Sequence, residues 1–270
     1  MSFPQAVEIG PLLLATDRVL ALVLISVFLL IAIMVSKRAD ESAEGAGWWA
    51  LVTGLVAARL GYAIINWEAF AVEPASILAF WQGGFSLVAG VAAAVLVTLW
   101  KLRLRPSSLL MAGAILMLSG AYIGSSQLLT PAPRPFPAGI AVQKLAGESL
   151  DLSKLRGQPM VINLWASWCL PCRREMPMMV DVASTSSVPI LLVNSGEERA
   201  VAEEFLWVNR LPPSAVYLDT TASLAAAIEA GGYPATVFVN AAGEIKTVHV
   251  GELSRAMLTS ELRHLEQRDH

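Results

Sequence analysis

Apolar residues run almost unbroken through the first half of this chain and alternate with polar ones through the second. Four apolar stretches, near 12–35, 48–66, 85–100 and 108–130, approach the roughly 20 residues that cross a bilayer as a helix. The third is short, and residues 75–84 before it read as an interfacial or re-entrant approach. Beyond residue 138 the period changes. Segments 160–165, 189–194, 215–218, 235–240 and 245–250 are rich in Val, Ile and aromatics and predict strands. Between and after them, 169–182, 197–209, 222–230 and 254–267 predict helices, the second opening on Glu197 and Glu198 as suits a helix start. Strands and helices in turn, ending in a hairpin at 240–243 and a helix, predict a sheet with helices on both faces.

The expected fold is therefore an N-terminal all-α transmembrane bundle of about four spans, residues 1–130, and a C-terminal α/β domain, residues 138–270. The joining stretch 131–137 places proline at every second position, which favours an extended, semi-rigid spacer. Two units of about 100–150 residues suit a chain of 270.

Charge orients the first unit. Lys37 and Arg38 follow the first apolar run, and Lys101, Arg103 and Arg105 follow the third, so both clusters are expected on the cytoplasmic side. Four spans then put both ends of the bundle outside the cytoplasm. The opening residues carry no basic cluster before the apolar run, so that run is expected to be retained rather than cleaved as a signal. Trp48, Trp49, Trp67 and Trp81 fall at predicted span ends, as interfacial tryptophans do. Arg59 lies well inside the second span, where a charge is costly. It is expected to face the bundle interior, either as a structural pairing with Glu68 or Asp17 or as part of a polar site. Net charge is −3, with no basic stripe, which sets nucleic acid aside.

The chemistry is concentrated in Trp168-Cys169-Leu170-Pro171-Cys172, which holds both cysteines of the chain. It falls where a strand ends and a helix starts. A thiol there meets the positive end of the helix dipole, which favours thiolate. Cys169 is the expected attacking thiolate, and Cys172, one turn later, the resolving thiol. Half of a zinc site is the alternative, but structural zinc generally takes four Cys/His ligands, and only three histidines accompany the cysteines. A purely structural disulfide would close a loop too small to stabilise much. No metal or cofactor is expected.

Lys154 to Gly157, the stretch Val161 to Pro177 around the Cys-x-x-Cys, and Gly232 to Val239 together resemble the TlpA/ResA-like membrane-anchored thioredoxins. The resemblance implies a thioredoxin-like fold over the C-terminal half and a thiol:disulfide oxidoreductase. It implies a cis peptide before Pro234 facing the dithiol, a helix kink at Pro177, and Glu175 as an active-site neighbour that modulates the thiols. The alternative for Glu175 is an exposed helix carboxylate paired with Arg173. Asn163 stands where many thioredoxins place a buried aspartate, so proton exchange falls to Glu175 or water. Trp168, Tyr233, Leu170 and Pro171 are the expected client-binding residues, and Trp165 a packing residue. The first unit, through Ala58 to Tyr62, Ile77 to Ser86, and Gly90, resembles the N-terminal half of prolipoprotein diacylglyceryl transferase. It departs at Val88 to Gly90, which keep one glycine, and it has no histidine before His249.

The expected protein is a reductase of disulfide-bearing periplasmic clients, in the bacterial inner membrane and recharged by a membrane thiol donor of the DsbD/CcdA type. Cytochrome c biogenesis is one setting for such a protein. An oxidase or isomerase, a lipid acyltransferase with an appended redox domain, and a receptor that only holds partners stay open.

Overall fold

A computed structural model describes residues 6–9, 12–129 and 131–268. Asp17's side chain, Thr130 and His270 lie outside the described part. The chain divides into two compact units, one spanning residues 14–130, the other residues 131–270 together with strand residues 6–9 and 12–13.

A short hairpin, β1 (Ala6–Ile9) and β2 (Leu12–Ala15), precedes α1 (Thr16–Arg38). Residues 12–15 are thus a strand rather than the start of the first span: their unbroken leucines fit a strand as well as a helix. Then follow α2 (Ala43–Ile65), α3 (Trp67–Val72), two 3₁₀ turns at Pro74–Leu78 and Phe80–Gln82, α4 (Leu87–Lys101) and α5 (Pro106–Leu129). Three of these helices are long and apolar enough to cross a membrane: Arg18–Arg38, Ala43–Ile65 and Pro106–Leu128. The count of four is not met by length alone. α4 has 15 residues, about 22 Å of helix against roughly 30 Å of hydrocarbon.

α1, α2, α4 and α5 nevertheless run alternately. Asp40, in the turn after α1, takes a hydrogen bond from Ser107 (2.9 Å) and pairs with Arg105 (3.3 Å), both near the start of α5. The α1–α2 and α4–α5 turns therefore share one end of the unit, with α2 leaving it and α4 returning. α2 and α4 pack through small residues. A Cβ placed on Gly90 would stand 2.9 Å from Ala58 Cβ and 3.0 Å from the Gly54 carbonyl oxygen, so only glycine fits.

At the other end Arg59 fills the space that short α4 leaves. Its side chain is buried, and its nitrogens donate to the carbonyls of Ile77 (2.9 Å), Ser76 (2.5 Å), Ala79 (3.2 Å), Gly84 (3.0 Å) and Gly83. Phe70 and Phe85 lie 5.3 and 5.7 Å from its guanidinium carbon. The expected pairing with Glu68 is replaced by these carbonyls; Glu68 is exposed. A stretch of 3₁₀ turns leaves carbonyls unpaired, and a guanidinium offers five donors in one plane to satisfy them.

The second unit is an eight-stranded sheet in the order β3-β10-β9-β6-β7-β8-β4-β5. Its strands are β3 (Arg134–Pro135), β4 (Ala141–Lys144), β5 (Ser149–Asp151), β6 (Met160–Trp165), β7 (Ile190–Ser195), β8 (Val216–Asp219), β9 (Ala235–Val239) and β10 (Glu244–Val250). The helices are α6 (Leu170–Thr185), α7 (Arg199–Val208), α8 (Ser223–Ala227) and α9 (Arg255–Arg268). β6, β7 and β8 are parallel, and β9 and β10 return antiparallel. β6, β7 and β9 are buried throughout because each face of the sheet has its own apolar cluster. Along β6, Val161 and Trp165 enter one cluster and Met160, Ile162 and Leu164 the other. Asn163 shares the face of Val161 and Trp165 by the two-residue period.

Candidate active site

The dithiol sits at the carboxyl end of β6, where α6 starts. Cys169 is the residue that caps α6: its backbone is extended (φ −80°, ψ 106°) and its sulfur accepts the Cys172 N–H at 3.3 Å. The two cysteines form a disulfide, so this is the oxidised protein. Cys169 keeps 5% of its surface exposed and Cys172 none. Leu170 and Trp168 flank Cys169 and are both about two-thirds exposed, and Pro171 is half-buried.

The Tyr233–Pro234 peptide is cis, as expected. Trp168 meets Tyr233 edge to face, with ring centroids 5.8 Å apart, which brings the Cys-x-x-Cys loop beside the cis-proline loop. The Tyr233 hydroxyl donates to Ser195 Oγ at 2.9 Å, tying that loop to the end of β7. Trp165 is fully buried against Phe205, consistent with packing.

Glu175 follows Cys172 by three residues, so both lie on one face of α6, and both are buried. The exposed-carboxylate alternative is thereby overturned: Arg173 instead packs over the Phe205 ring. Glu175 Oε1 accepts the Asn163 amide N–H at 2.9 Å, and Oε2 accepts the Leu253 N–H at 2.9 Å. The same Asn163 nitrogen donates to Thr236 Oγ1 at 3.0 Å. Burial lifts the Glu175 carboxyl from an ordinary 4.5 to about 7, against the two hydrogen bonds, which favour the carboxylate. Glu252 beside it adds to the rise, and Arg174 opposes it.

Other participants carried no sequence signal. Glu197, read as a helix-start acid, turns inward. Its carboxylate accepts the Ser167 N–H (2.7 Å), the Ser167 hydroxyl (2.5 Å) and the Asn194 amide (2.6 Å), bracing the turn that carries Trp168 and Cys169. Glu252 is buried and pairs with Arg174. Both contacts join residues at least 30 apart. Among the described residues, no three or more His, Cys, Asp or Glu side chains gather as a metal site.

A Cys-x-x-Cys disulfide capping a helix at the end of a central parallel strand, with a cis-proline loop beside it, defines a thioredoxin-fold thiol:disulfide oxidoreductase. Comparison with known proteins narrows the class. The Redoxin family model matches residues 131–264, and the prolipoprotein diacylglyceryl transferase model matches residues 4–125. The thiol-disulfide oxidoreductase ResA of Geobacillus kaustophilus is 32% identical over 125 residues, 45% of this chain and 70% of that protein. The thiol:disulfide interchange protein DsbE of Pseudomonas fluorescens biotype C is 28% identical over 158 residues, 58% of this chain and 88% of that one. Among solved structures, MTB DsbF is 27% identical with a TM-score of 0.45, over 49% of this chain and 98% of that chain. Through its C-terminal half the chain belongs to the ResA/DsbE family of thiol:disulfide oxidoreductases.

Proposed function

We propose that the protein is a membrane-anchored reductase of client disulfides, working on the periplasmic side of a bacterial inner membrane. The observation that carries the residue roles is the unequal exposure of the two sulfurs. In the reduced protein the Cys169 thiolate attacks one sulfur of the client disulfide, and the other client sulfur leaves as a thiolate. Cys172 then gives up its proton and attacks Cys169. The client is released as a dithiol, two electrons poorer protein remaining as the internal disulfide. Glu175, as carboxylate, accepts the Cys172 proton. Trp168, Leu170, Pro171 and Tyr233 form the rim on which a client segment lies, and Pro234 lines it.

The outer location rests on charge and helix direction. Lys37, Arg38, Lys101, Arg103 and Arg105 belong to the two turns that Asp40 joins, and basic turns stay cytoplasmic. α4 with its preceding 3₁₀ turns acts as the return crossing, so α5 leads outward. A thiol donor in the membrane, of the DsbD/CcdA type, returns the pair to the reduced state. Clients include the disulfides of cytochrome c biogenesis.

Lipid transfer is the weaker reading for the first unit. Arg59, its one deep cation in α2, gives its hydrogen bonds to protein carbonyls and keeps none for a phosphate.

Trapping tests the proposal. Cys172→Ser is expected to accumulate mixed disulfides with client proteins in living cells, and Cys169→Ser to form none. Acid quench and mass-tag alkylation of the wild type should find mostly reduced thiols. A fully oxidised wild-type pair would turn the direction to oxidase.

A further inference from the structure

The turn after β10 meets α6 through two adjacent contacts. Inside, the Leu253 N–H donates to Glu175 Oε2 at 2.9 Å. Outside, Arg174 Nε and Nη2 both donate to Glu252 Oε2, at 3.0 and 2.6 Å. Each contact joins neighbours in sequence, Arg174 with Glu175 on α6 and Glu252 with Leu253 on the turn. Glu252 is only 7% exposed, whereas the Arg174 side chain is about half exposed. A buried carboxylate at this position is costly unless paired, and it stands next to the donor that serves Glu175.

The other groups around Glu175 can be named element by element. β6 contributes the Asn163 amide, held in turn by Thr236 of β9. α6 contributes Cys172 one turn earlier and Arg174. α9 brings Arg255, whose charge goes to Asp181 farther along α6, at 2.7 Å. The turn contributes Glu252 and the Leu253 N–H. Glu252, paired with Arg174, is the carboxylate whose charge bears on Glu175, and β10 adds His249 opposite Thr236.

We propose that Arg174 and Glu252 are positioning residues for thiol–disulfide exchange: their ion pair holds the Leu253 N–H on Glu175 and cancels the neighbouring carboxylate charge, so that Glu175 accepts the Cys172 proton at neutral pH. The proposal rests on the reading of Glu175 as the proton acceptor. Breaking the pair from the arginine side removes the charge that favours the Glu175 carboxylate and keeps the Glu252 charge that disfavours it. Removing the Glu252 charge does the opposite. The two changes therefore shift the release step in opposite directions, whereas loss of a purely structural tie would act alike in both.

The test uses the reduced full-length protein in detergent and the aromatic disulfide 5,5′-dithiobis(2-nitrobenzoate). Cys169 attack releases the first thionitrobenzoate, and Cys172 attack on the resulting mixed disulfide releases the second. The first phase reports a folded, reactive dithiol in each variant, and the second phase is followed against pH. Glu175→Gln should abolish the step near pH 7 in the second phase. Arg174→Met should move the step upward by on the order of half a pH unit, slowing release at pH 7 about twofold. Glu252→Gln should move it downward, and Arg174→Met/Glu252→Gln should return it close to the wild-type position. If Glu175→Gln abolishes the step but neither single variant moves it, or both move it the same way, the pair is only structural. If Glu175→Gln keeps the wild-type step, the acceptor reading itself fails and takes this proposal with it.

Discussion

At the residue scale, the dithiol's surroundings draw on side chains far apart in sequence. Glu175 shows what that does to an ordinary carboxyl. Burial holds its folded value near 7 against about 4.5 for a free side chain, so the folded protein binds the extra proton between those limits. Folding stability contributed by this group is therefore fully present below about pH 4.5 and falls as pH rises toward 7. At about 1.4 kcal/mol per pH unit, the loss across that window is on the order of 3 kcal/mol. Chemical denaturation of oxidised wild type and Glu175→Gln between pH 4.5 and 8 checks this. The wild-type curve should slope down through the window, and the variant should lose that slope. Cys169 and Cys172 were legible in the sequence because their spacing and strand-to-helix placement are local. Glu197 and Glu252 were not, because an inward-turned acid looks like any surface acid until its distant donors, Ser167 and Arg174, are brought to it.

Elements repeat the contrast between local and distant causes. β6 reads correctly from Met160 to Trp165 because burial on both faces leaves an unbroken apolar run. β3, β4 and β5 are short and carry proline, lysine or aspartate, so neither periodicity nor hydrophobicity marks them. β3 pairs with β10 and β4 with β8, each more than 70 residues onward, and β5 pairs with β4. In the first unit α4 is shorter than a bilayer crossing, and its preceding turns depend on Arg59, a reach of 17 to 25 residues. The close approach of α2 and α4 gives a sharp expectation. Gly90→Val would drive side-chain atoms into Ala58 and the Gly54 carbonyl, whereas Gly113→Val on α5 meets open space. Thermal unfolding of the full chain in detergent should show a marked loss of stability for the first and little change for the second.

The whole molecule joins a scaffold matched by a lipid-transferase family model to a redox domain whose sheet takes in Arg134–Pro135 of the stretch expected as a spacer. The change of hydrophobic period near residue 130 marked one edge of the helical unit, whereas nothing in the sequence separated the residues before Leu14 from it. The proposed orientation rests on where the basic turns lie and makes a separate prediction. A membrane-impermeant maleimide added to intact spheroplasts after mild reduction should label Cys169. Protection until the membrane is permeabilised would put the dithiol on the other side. The order of the sheet carries one more consequence. Its two outer strands are β3, two residues ending in proline, and β5, three residues ending in aspartate. Strands so short, with a missing donor or a charge at the rim, are themselves poor templates for another extended chain. On the β3 side the longer free edge is that of β10 beyond Ile245, so edge-to-edge growth between copies would have to start there.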